Sequence, residues 1–581
     1  MLLLAALPLV LAVGCGGNEV RTTDNIAREC ALIPFPRVFE LQEGGLYLDA
    51  STFAVDSRFD NASKEKIREF ASLLSECSGT RVRIKELAPA AGNGSVEGAS
   101  LSFVLDASLA PEEYCLDAGP QGAVVRASDY NSVLYSLATL RQLLPVEIYC
   151  CSNGSRCTAR VAKSSCKGVE WTIPFCHIED YPQYSYRGVM LDCSRHFFTV
   201  DEVKRFLDIM AEFKLNRFHW HLTDDQGWRV EIKKYPQLTE VGSVRGGTMV
   251  GRDFDSDDGV PHGGFYTQDE LRDVVAYAQE LGITIVPEVD LPGHMVAALA
   301  SYPELGCTGG PYEVRRIWGI ADDVLCAGKD ATYRFLDDVI NEIADIFPGE
   351  LFHIGGDECP KVRWENCPDC QAKIAELGLS DKDGVSAEQY LQNYVTHHVQ
   401  QTLAAKGKRI IGWEEIAEGN LDKNAMVHYW RGWKSVEETL CKFTAEGYDV
   451  LMSPTNFFYI DYAQSEDRSS EPLSYNSTLT IEKMYSYDST KLLSPEQLAH
   501  VKGVQANLWT EYISEFSGVE YMVLPRMDAL CEVQWCAADR KDFERFRHSL
   551  LNMRKIYDAL GARYATHIFD GRLDEEMENN K

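Results

Sequence analysis

The sequence predicts an α/β chain, a (β/α)8 TIM barrel preceded by a small α+β domain. Three observations lead there. Eight apolar, β-rich runs recur from residue 186 onward. Amphipathic helical patterns lie between most of them, the signature of parallel strands covered by helices. No G-x-G-x-x-G follows the first run, as it usually does in an open doubly wound sheet.

The elements follow in chain order. Residues 2–13 (LLLAALPLVLAV) are one apolar run, too short to span a bilayer but suited to a secretory signal over 1–15. Small residues ending at Cys15 resemble a bacterial lipoprotein cleavage site, although Ala12 stands where leucine is usual and no Lys or Arg precedes the run. The expectation is an exported chain: periplasmic or an outer-membrane lipoprotein if bacterial, otherwise secreted or lysosomal. A lipid on Cys15 is the one membrane attachment the sequence suggests, because no later stretch is long and apolar enough to span.

Residues 31–180 read as the small α+β domain. Alternating runs such as Leu101-Ser102-Phe103-Val104-Leu105 mark strands. Ile67, Phe70, Ala71 and Leu74 mark a helix over 63–75, and Val133, Leu134, Leu137 and Leu140 another over 131–144. Its carboxylates show no catalytic spacing, so its default role is structural.

The barrel is expected over 184–560, with a tail over 561–581. Its strands are 186–193, 217–222, 283–290, 351–356, 409–415, 425–430, 449–453 and 503–509. Val203, Phe206, Leu207, Met210 and Phe213 form an apolar stripe on a helix over 200–214, opened by a Thr199/Glu202 capping box. Thr267 and Glu270 repeat the device before 268–281. Phe335, Leu336, Val339, Ile340, Ile343 and Phe347 predict a third helix over 332–347, and Ser494-Pro495 starts another.

Composition narrows the partners. With 57 basic and 88 acidic residues the net charge is −31, which argues against nucleic acid or an anionic membrane. The 45% apolar and 25% charged content is that of a folded protein. The 18 cysteines are too sparse for a disulfide scaffold, though export permits bridges. Cys150, Cys151, Cys157, Cys166 and Cys176 crowd one segment, and Cys307 and Cys326 bracket a Gly-rich loop where they could pair. Cys359, Cys367 and Cys370 include one C-x-x-C, three quarters of a zinc site. No fourth ligand stands nearby in sequence, so disulfides or free thiols are expected there and no metal.

In a barrel the reactive face lies at the C-terminal strand ends. Asp192 and Arg195 follow the first strand; His221, Asp224 and Asp225 the second; Glu288, Asp290 and His294 the third; Asp357 and Glu358 the fourth. The remaining ends bring Trp413, Glu414, Trp430, Tyr459, Asp461, Trp509 and Glu511. Any one of these has a bland structural reading; their coincidence at one end of eight strands does not. Acids among tryptophans suit a sugar, whose apolar face stacks on indole. Histidines among acids suit a metal hydrolase, and His219-Trp220-His221 fits that reading, but the run is flanked by Phe218 and Leu222 and reads better as core histidines satisfied by hydrogen bonds. A catalytically inactive carbohydrate-binding barrel is the third reading.

His353-Ile354-Gly355-Gly356-Asp357-Glu358 resembles the signature of glycoside hydrolase family 20, the β-N-acetylhexosaminidases. RGVMLDCSRHFF (187–198), NRFHWHLTDDQGWR (216–229), PEVDLPGH (287–294) and LWTEY (508–512) match in order, and the likeness covers essentially 31–560. The resemblance implies an exo-acting enzyme that removes terminal β-linked GlcNAc or GalNAc from glycans, with no cofactor. It implies substrate assistance, in which the sugar's 2-acetamido oxygen attacks its own anomeric carbon. It makes Glu358 the general acid/base and Asp357 the carboxylate that orients the acetamido group. Arg195, Asp461 and Glu511 would bind sugar hydroxyls. Trp413, Trp430 and Trp509 would box the acetamido methyl, Tyr459 would bond its oxygen, and Asp224 and His294 would support the pair. Adjacent carboxylates are not expected to face one ligand as acid and nucleophile without an unusual backbone.

Overall fold

The computed structural model describes residues 20–24, 31–87, 98–150 and 166–569. The 1–15 segment with Cys15, the cysteines Cys151 and Cys157, and the tail beyond 569 lie outside them. The chain divides into two compact units.

The first unit holds an eight-stranded mixed sheet. Its strands are β1 (Thr22–Thr23), β2 (Val38–Tyr47), β3 (Thr52–Asp56), β4 (Arg83–Leu87), β5 (Leu101–Leu105), β6 (Tyr114–Gly119), β7 (Gly122–Ala127) and β8 (Thr172–Asp180), in the order β1-β2-β8-β6-β7-β5-β3-β4. Helix α1 (Asn61–Ser78) buries Ile67, Phe70, Ala71 and Leu74, the stripe its spacing predicts, and Asp60 caps it by accepting from the Ser63 amide. Helix α2 (Tyr130–Leu143) starts at a full Asp129/Ser132 capping box.

The second unit is a closed barrel of eight parallel strands: β9 (Tyr186–Asp192), β10 (Arg217–His221), β11 (Thr284–Glu288), β12 (Leu351–His353), β13 (Arg409–Trp413), β14 (Met426–Tyr429), β15 (Asp449–Met452) and β16 (Val501–Leu508). Strand β16 closes the ring on β9, with Gly503 opposite Tyr186 and Leu508 opposite Leu191. All eight predicted runs are barrel strands. Residues Ala31–Arg37 group with this unit; the Phe35 amide donates to Glu532 and the Arg545 guanidinium lies over the Phe35 ring.

The helices follow from their patterns. Helix α3 (Val200–Glu212) buries Val203, Phe206, Leu207 and Met210, and both of its capping-box bonds form between Thr199 and Glu202. Helix α4 (Gln268–Glu280) repeats the box with Thr267 and Glu270. Helix α5 (Asp330–Ile346) buries Phe335, Leu336, Val339, Ile340 and Ile343. The Ser494-Pro495 start yields a single turn, Pro495–Leu498, because the chain enters β16 three residues later.

The barrel interior has two characters. Near its entry it is apolar: Tyr186, Val286, Ile411, Met426 and Leu451 pack together. Toward the C-terminal ends it turns polar, with Glu288 at its centre. His219 and His353 stand 3.0 and 2.8 Å from that carboxylate, and His221 makes a short contact with it. Burial alone would raise Glu288, but His353, His221 and His219 outweigh it and hold the carboxyl well below the usual range. A buried charge persists only when paired and hydrogen-bonded, and this one has histidines on several sides. The H-x-H histidines are thus core groups serving one acid.

Candidate active site

All eleven candidate residues line one cavity of ≈ 220 Å³ at the C-terminal ends of the barrel strands. One of its walls rests on Glu288, the last residue of β11. The Trp413 indole N–H donates to Glu288 Oε1 at 3.0 Å, and its ring stacks on His428 with centroids 4.2 Å apart. The interior polar cluster therefore fixes the plane of an aromatic wall. Trp509 lies 5.9 Å from Trp413 and presents its edge to His221. Trp430 stacks against Tyr459 at 6.3 Å.

Arg195 enters from the turn after β9. Its guanidinium reaches Asp192 at 3.2 Å, Asp224 at 2.8 Å and the Gln226 carbonyl at 3.0 Å, and it lies over Trp509. Asp224 also accepts from His221 at 3.0 Å and meets His294 at 3.2 Å. Burial works against the Asp224 charge, yet Arg195 and His294 together hold this carboxyl well below the ordinary range. His294 shows the reciprocal effect: burial opposes its charge, but Asp224 raises it well above the usual imidazole value.

The turn after β12 places the carboxylate pair. Gly355 and Gly356 have φ of 62° and 98°, and Glu358 holds a left-handed φ of 47°. Glycine is required at 355, where a Cβ would fall 1.7 Å from Asp290 Oδ1, and the Gly356 amide donates to that same oxygen at 3.0 Å. A non-glycine residue with positive φ is strained, and such strain clusters at functional sites. This is the unusual backbone that the sequence made a condition: consecutive Asp357 and Glu358 both reach one cavity. His294 Nε2, itself in a residue at φ 50°, stands 3.8 Å from Asp357 and 3.7 Å from Glu358.

Asp357 is buried, and its Oδ1 has no hydrogen-bond partner within the protein. Burial first, and then the neighbouring Glu358 carboxylate, push its carboxyl up to about 6 against the pull of His294. Glu358 keeps a third of its side chain exposed. On the opposite side, Asp461 and Glu511 each leave a buried oxygen unpartnered, Asp461 Oδ1 and Glu511 Oε2. Burial and the Glu511 charge raise Asp461 well above its ordinary range. Tyr459 is positioned by a bridge to Asn507 of β16, and its neighbour Ile460 donates its amide to the Asn507 carbonyl at 2.9 Å.

Several residues of the site escaped the sequence reading, one of them behind a wall rather than on the cavity. Glu415 carries the Trp430 indole, accepting its N–H at 2.9 Å, whereas Glu414 accepts the Trp430 amide at 3.3 Å and pairs with Arg431 at 2.5 Å. Burial, followed by the Asp357 charge, raises Glu415 to about 8. Trp433 and Tyr475 also line the cavity, and the Tyr475 hydroxyl donates to Glu511 at 2.8 Å. Trp433 was visible as the second tryptophan of Trp430-Arg431-Gly432-Trp433; Tyr475 sits in the long β15–β16 connection, where nothing in the pattern marks it. Aromatic walls with unsatisfied carboxylate oxygens on two sides suit a small ring with apolar faces and a rim of N–H and O–H donors.

Comparison with known proteins supplies the remaining findings. The family model described as "Glycosyl hydrolase family 20, catalytic domain" matches residues 184–538, and "Glycosyl hydrolase family 20, domain 2" matches 29–181. A beta-hexosaminidase of Porphyromonas gingivalis is 38% identical over 539 residues, covering 92% of this chain and 64% of the relative. A beta-hexosaminidase of Vibrio furnissii is 39% identical over 363 residues, 62% of this chain and 58% of the relative. The chain thus spans less than two thirds of the length of these two relatives. The solved GH20 exo beta-N-acetylglucosaminidase of Vibrio harveyi, in complex with N-acetylglucosamine, superposes with a TM-score of 0.76 at 30% identity, covering 94% of this chain and 80% of that one.

Proposed function

This chain belongs to glycosyl hydrolase family 20 across both matched regions, and from that premise we propose that it is an exo-acting β-N-acetylhexosaminidase. It removes terminal β-linked GlcNAc or GalNAc from glycans with retention, using the substrate's own acetamido group as nucleophile. The observation that carries the reading is the Asp357-Glu358 pair: two consecutive carboxyl groups on one cavity, one with a buried, unpartnered oxygen and the other reaching solvent.

The chemistry follows from that asymmetry. Glu358, the more accessible carboxyl, donates its proton to the leaving glycosidic oxygen. The acetamido carbonyl oxygen bonds to the anomeric carbon as the glycosidic bond breaks, giving an oxazolinium ion. Asp357 accepts the acetamido N–H through its free oxygen and stabilises the positive charge as it develops. Glu358 then takes a proton from water, which opens the intermediate at the same face. The Trp413, Trp430 and Trp509 walls close around the acetamido methyl and hold its carbonyl within attacking distance. The Tyr459 hydroxyl bonds the acetamido oxygen. Arg195, Asp461 and Glu511 take the outer hydroxyls. At ≈ 220 Å³ the cavity is smaller than the roughly 300–1,000 Å³ of drug-sized ligand sites, which favours one terminal sugar.

Hydrolysis of aryl β-GlcNAc, β-GalNAc and β-glucoside side by side tests this reading. The two acetamido sugars should react and the glucoside should not. Equal hydrolysis of the glucoside overturns substrate assistance, and sugar binding without hydrolysis turns the chain into a binding protein. For the compartment, the apolar 2–13 run supports export, and a lipid on Cys15 would tether the enzyme to a membrane surface.

A further inference from the structure

Four cysteines from three separate stretches converge behind the loop that carries His294. Cys307 and Cys326 come from the connection between β11 and α5. Cys367 and Cys370 come from the start of α6 (Pro368–Leu377), where Cys367 is the N-cap and Cys370 lies in the first turn. Their sulfurs all lie within 4.8 Å of one another. Cys326 Sγ is 3.6 Å from both Cys367 Sγ and Cys370 Sγ, and Cys307 Sγ is 3.9 Å from Cys370 Sγ. Cys326, Cys367 and Cys370 are buried and Cys307 is half-buried. Cys359, grouped with the C-x-x-C in the sequence reading, stays outside the cluster.

The distances discriminate between two uses of such thiols. A disulfide needs about 2.05 Å, and pairing would bring one partner of Cys326 closer than the other. Zinc–sulfur bonds of about 2.3 Å put the corners of a regular tetrahedron about 3.8 Å apart. The cluster has the second geometry, with Cys326 equidistant from two candidates and bonded to neither. We propose that Cys307, Cys326, Cys367 and Cys370 form a closed, structural tetrathiolate site for zinc.

The surrounding backbone is built for that convergence. Gly306 bridges Leu325, and the Cys326 amide donates to the Leu305 carbonyl at 2.8 Å, which holds Cys307 and Cys326 side by side. At Gly328 a Cβ would fall 2.1 Å from the Asp369 carbonyl carbon and 2.3 Å from the Cys370 nitrogen, so only glycine lets this loop lie on the start of α6. Four thiolates around one divalent ion leave an excess of negative charge, and the helix N-terminus under Cys367 and Cys370 offers amide dipoles to it. A closed set of four sulfurs leaves no position for substrate or water, so the ion is a clamp. It ties the 307–326 loop to the segment that follows Glu358. That loop is also linked to a cavity residue: the Ile317 carbonyl accepts from Gln226, and Gln226 accepts from Arg195.

The test is metal analysis of the full chain, purified without metal-affinity steps. One zinc per chain is expected, and Cys367→Ser and Cys370→Ser should each lose it, while Cys441→Ser, outside the cluster, keeps it. Cobalt(II) exchanged into the wild-type chain should show the strong visible bands of tetrahedral thiolate coordination. Because the wild-type measurement does not depend on any variant folding, it decides the question: absence of stoichiometric zinc, with these thiols found paired or free on mass analysis after alkylation, overturns the proposal.

Discussion

Glu358 and His294 meet at 3.7 Å in the lining of the cavity, and both hold a left-handed backbone. Each is strained in its own loop, and the two strains deliver side chains from β11 and β12 to a single point. An imidazole raised by Asp224 thus stands beside the carboxyl proposed to move the proton.

Replacing Glu358 by Gln keeps the volume and removes the proton donor. Turnover of aryl β-GlcNAc should fall about 10²–10⁴-fold, the typical worth of general acid–base catalysis. The melting temperature should stay near that of the wild type. Normal turnover in a folded Glu358→Gln chain contradicts the assignment.

Asp357 gives a pH dependence with a definite sign. On the proposed mechanism its carboxyl, raised to about 6 by burial and Glu358, must be ionised to stabilise the oxazolinium, so kcat/KM should fall as pH drops through about 6. Stability runs the other way. An acid held above its ordinary value of 3.8 in the fold binds its proton more tightly there than in the unfolded chain. Its ionisation therefore costs stability in full above pH 6, and that cost disappears below 3.8. Asp357→Asn should melt higher than wild type at pH 7 and the advantage should vanish near pH 3.5, even as activity is lost throughout. A constant difference across that range refutes the shift.

Arg195 is shared by Asp192, Asp224 and Gln226. Arg195→Ala removes the cation that buried Asp192 and Asp224 share, leaving Asp224 to its histidines alone, a loss of about 3–5 kcal/mol. Arg195→Lys restores charge but not the planar fork, so denaturant titration should show partial recovery of stability while KM stays elevated. Full recovery of KM by lysine would show that the fork is dispensable.

Glu415, raised to about 8, carries its proton at neutral pH. Glu415→Gln should then match the wild type in activity at pH 7, since either side chain accepts the Trp430 N–H. Glu415→Leu orphans that N–H, at about 1–3 kcal/mol, and should loosen the Trp430 wall. Tryptophan fluorescence and KM together check this; a Gln variant as impaired as the Leu variant rules out a neutral carboxyl.

A thiazoline analogue of the oxazolinium should bind about 10²-fold or more tighter than GlcNAc, as mimics of high-energy species do. Competitive inhibition measurements settle it, and affinity equal to that of GlcNAc disfavours the acetamido as nucleophile.

The barrel was legible because most of its strands are apolar runs that end in acids, histidines or tryptophans, and because the Thr199/Glu202 and Thr267/Glu270 boxes mark helix starts in the chain itself. That these eleven residues share one cavity was legible through strand ends and ordered motifs. What stayed hidden depends on three-dimensional closure. Glu415 stayed hidden because only the 3-10 turn over Glu414–Ala417 aims its carboxyl at the Trp430 indole while that of Glu414 meets the Arg431 guanidinium. The left-handed turn at Glu358 leaves no signal at Glu358 itself, only the preceding glycines. Cys307 and Cys370 are 63 positions apart, so no local spacing could join them.

Gly355 has one more implication, for anyone who would re-engineer this cavity. Because the smallest side-chain carbon there collides with Asp290, a saturation library at 355 should return glycine alone among active clones, and 356, hemmed by Ile416 at 2.4 Å, should behave alike. Combinatorial diversity belongs instead at the rim, where Trp433 is 66% exposed and can change without disturbing the turn. The reactive centre is a fixed die; the mouth is where selectivity for new glycan ends can be bred.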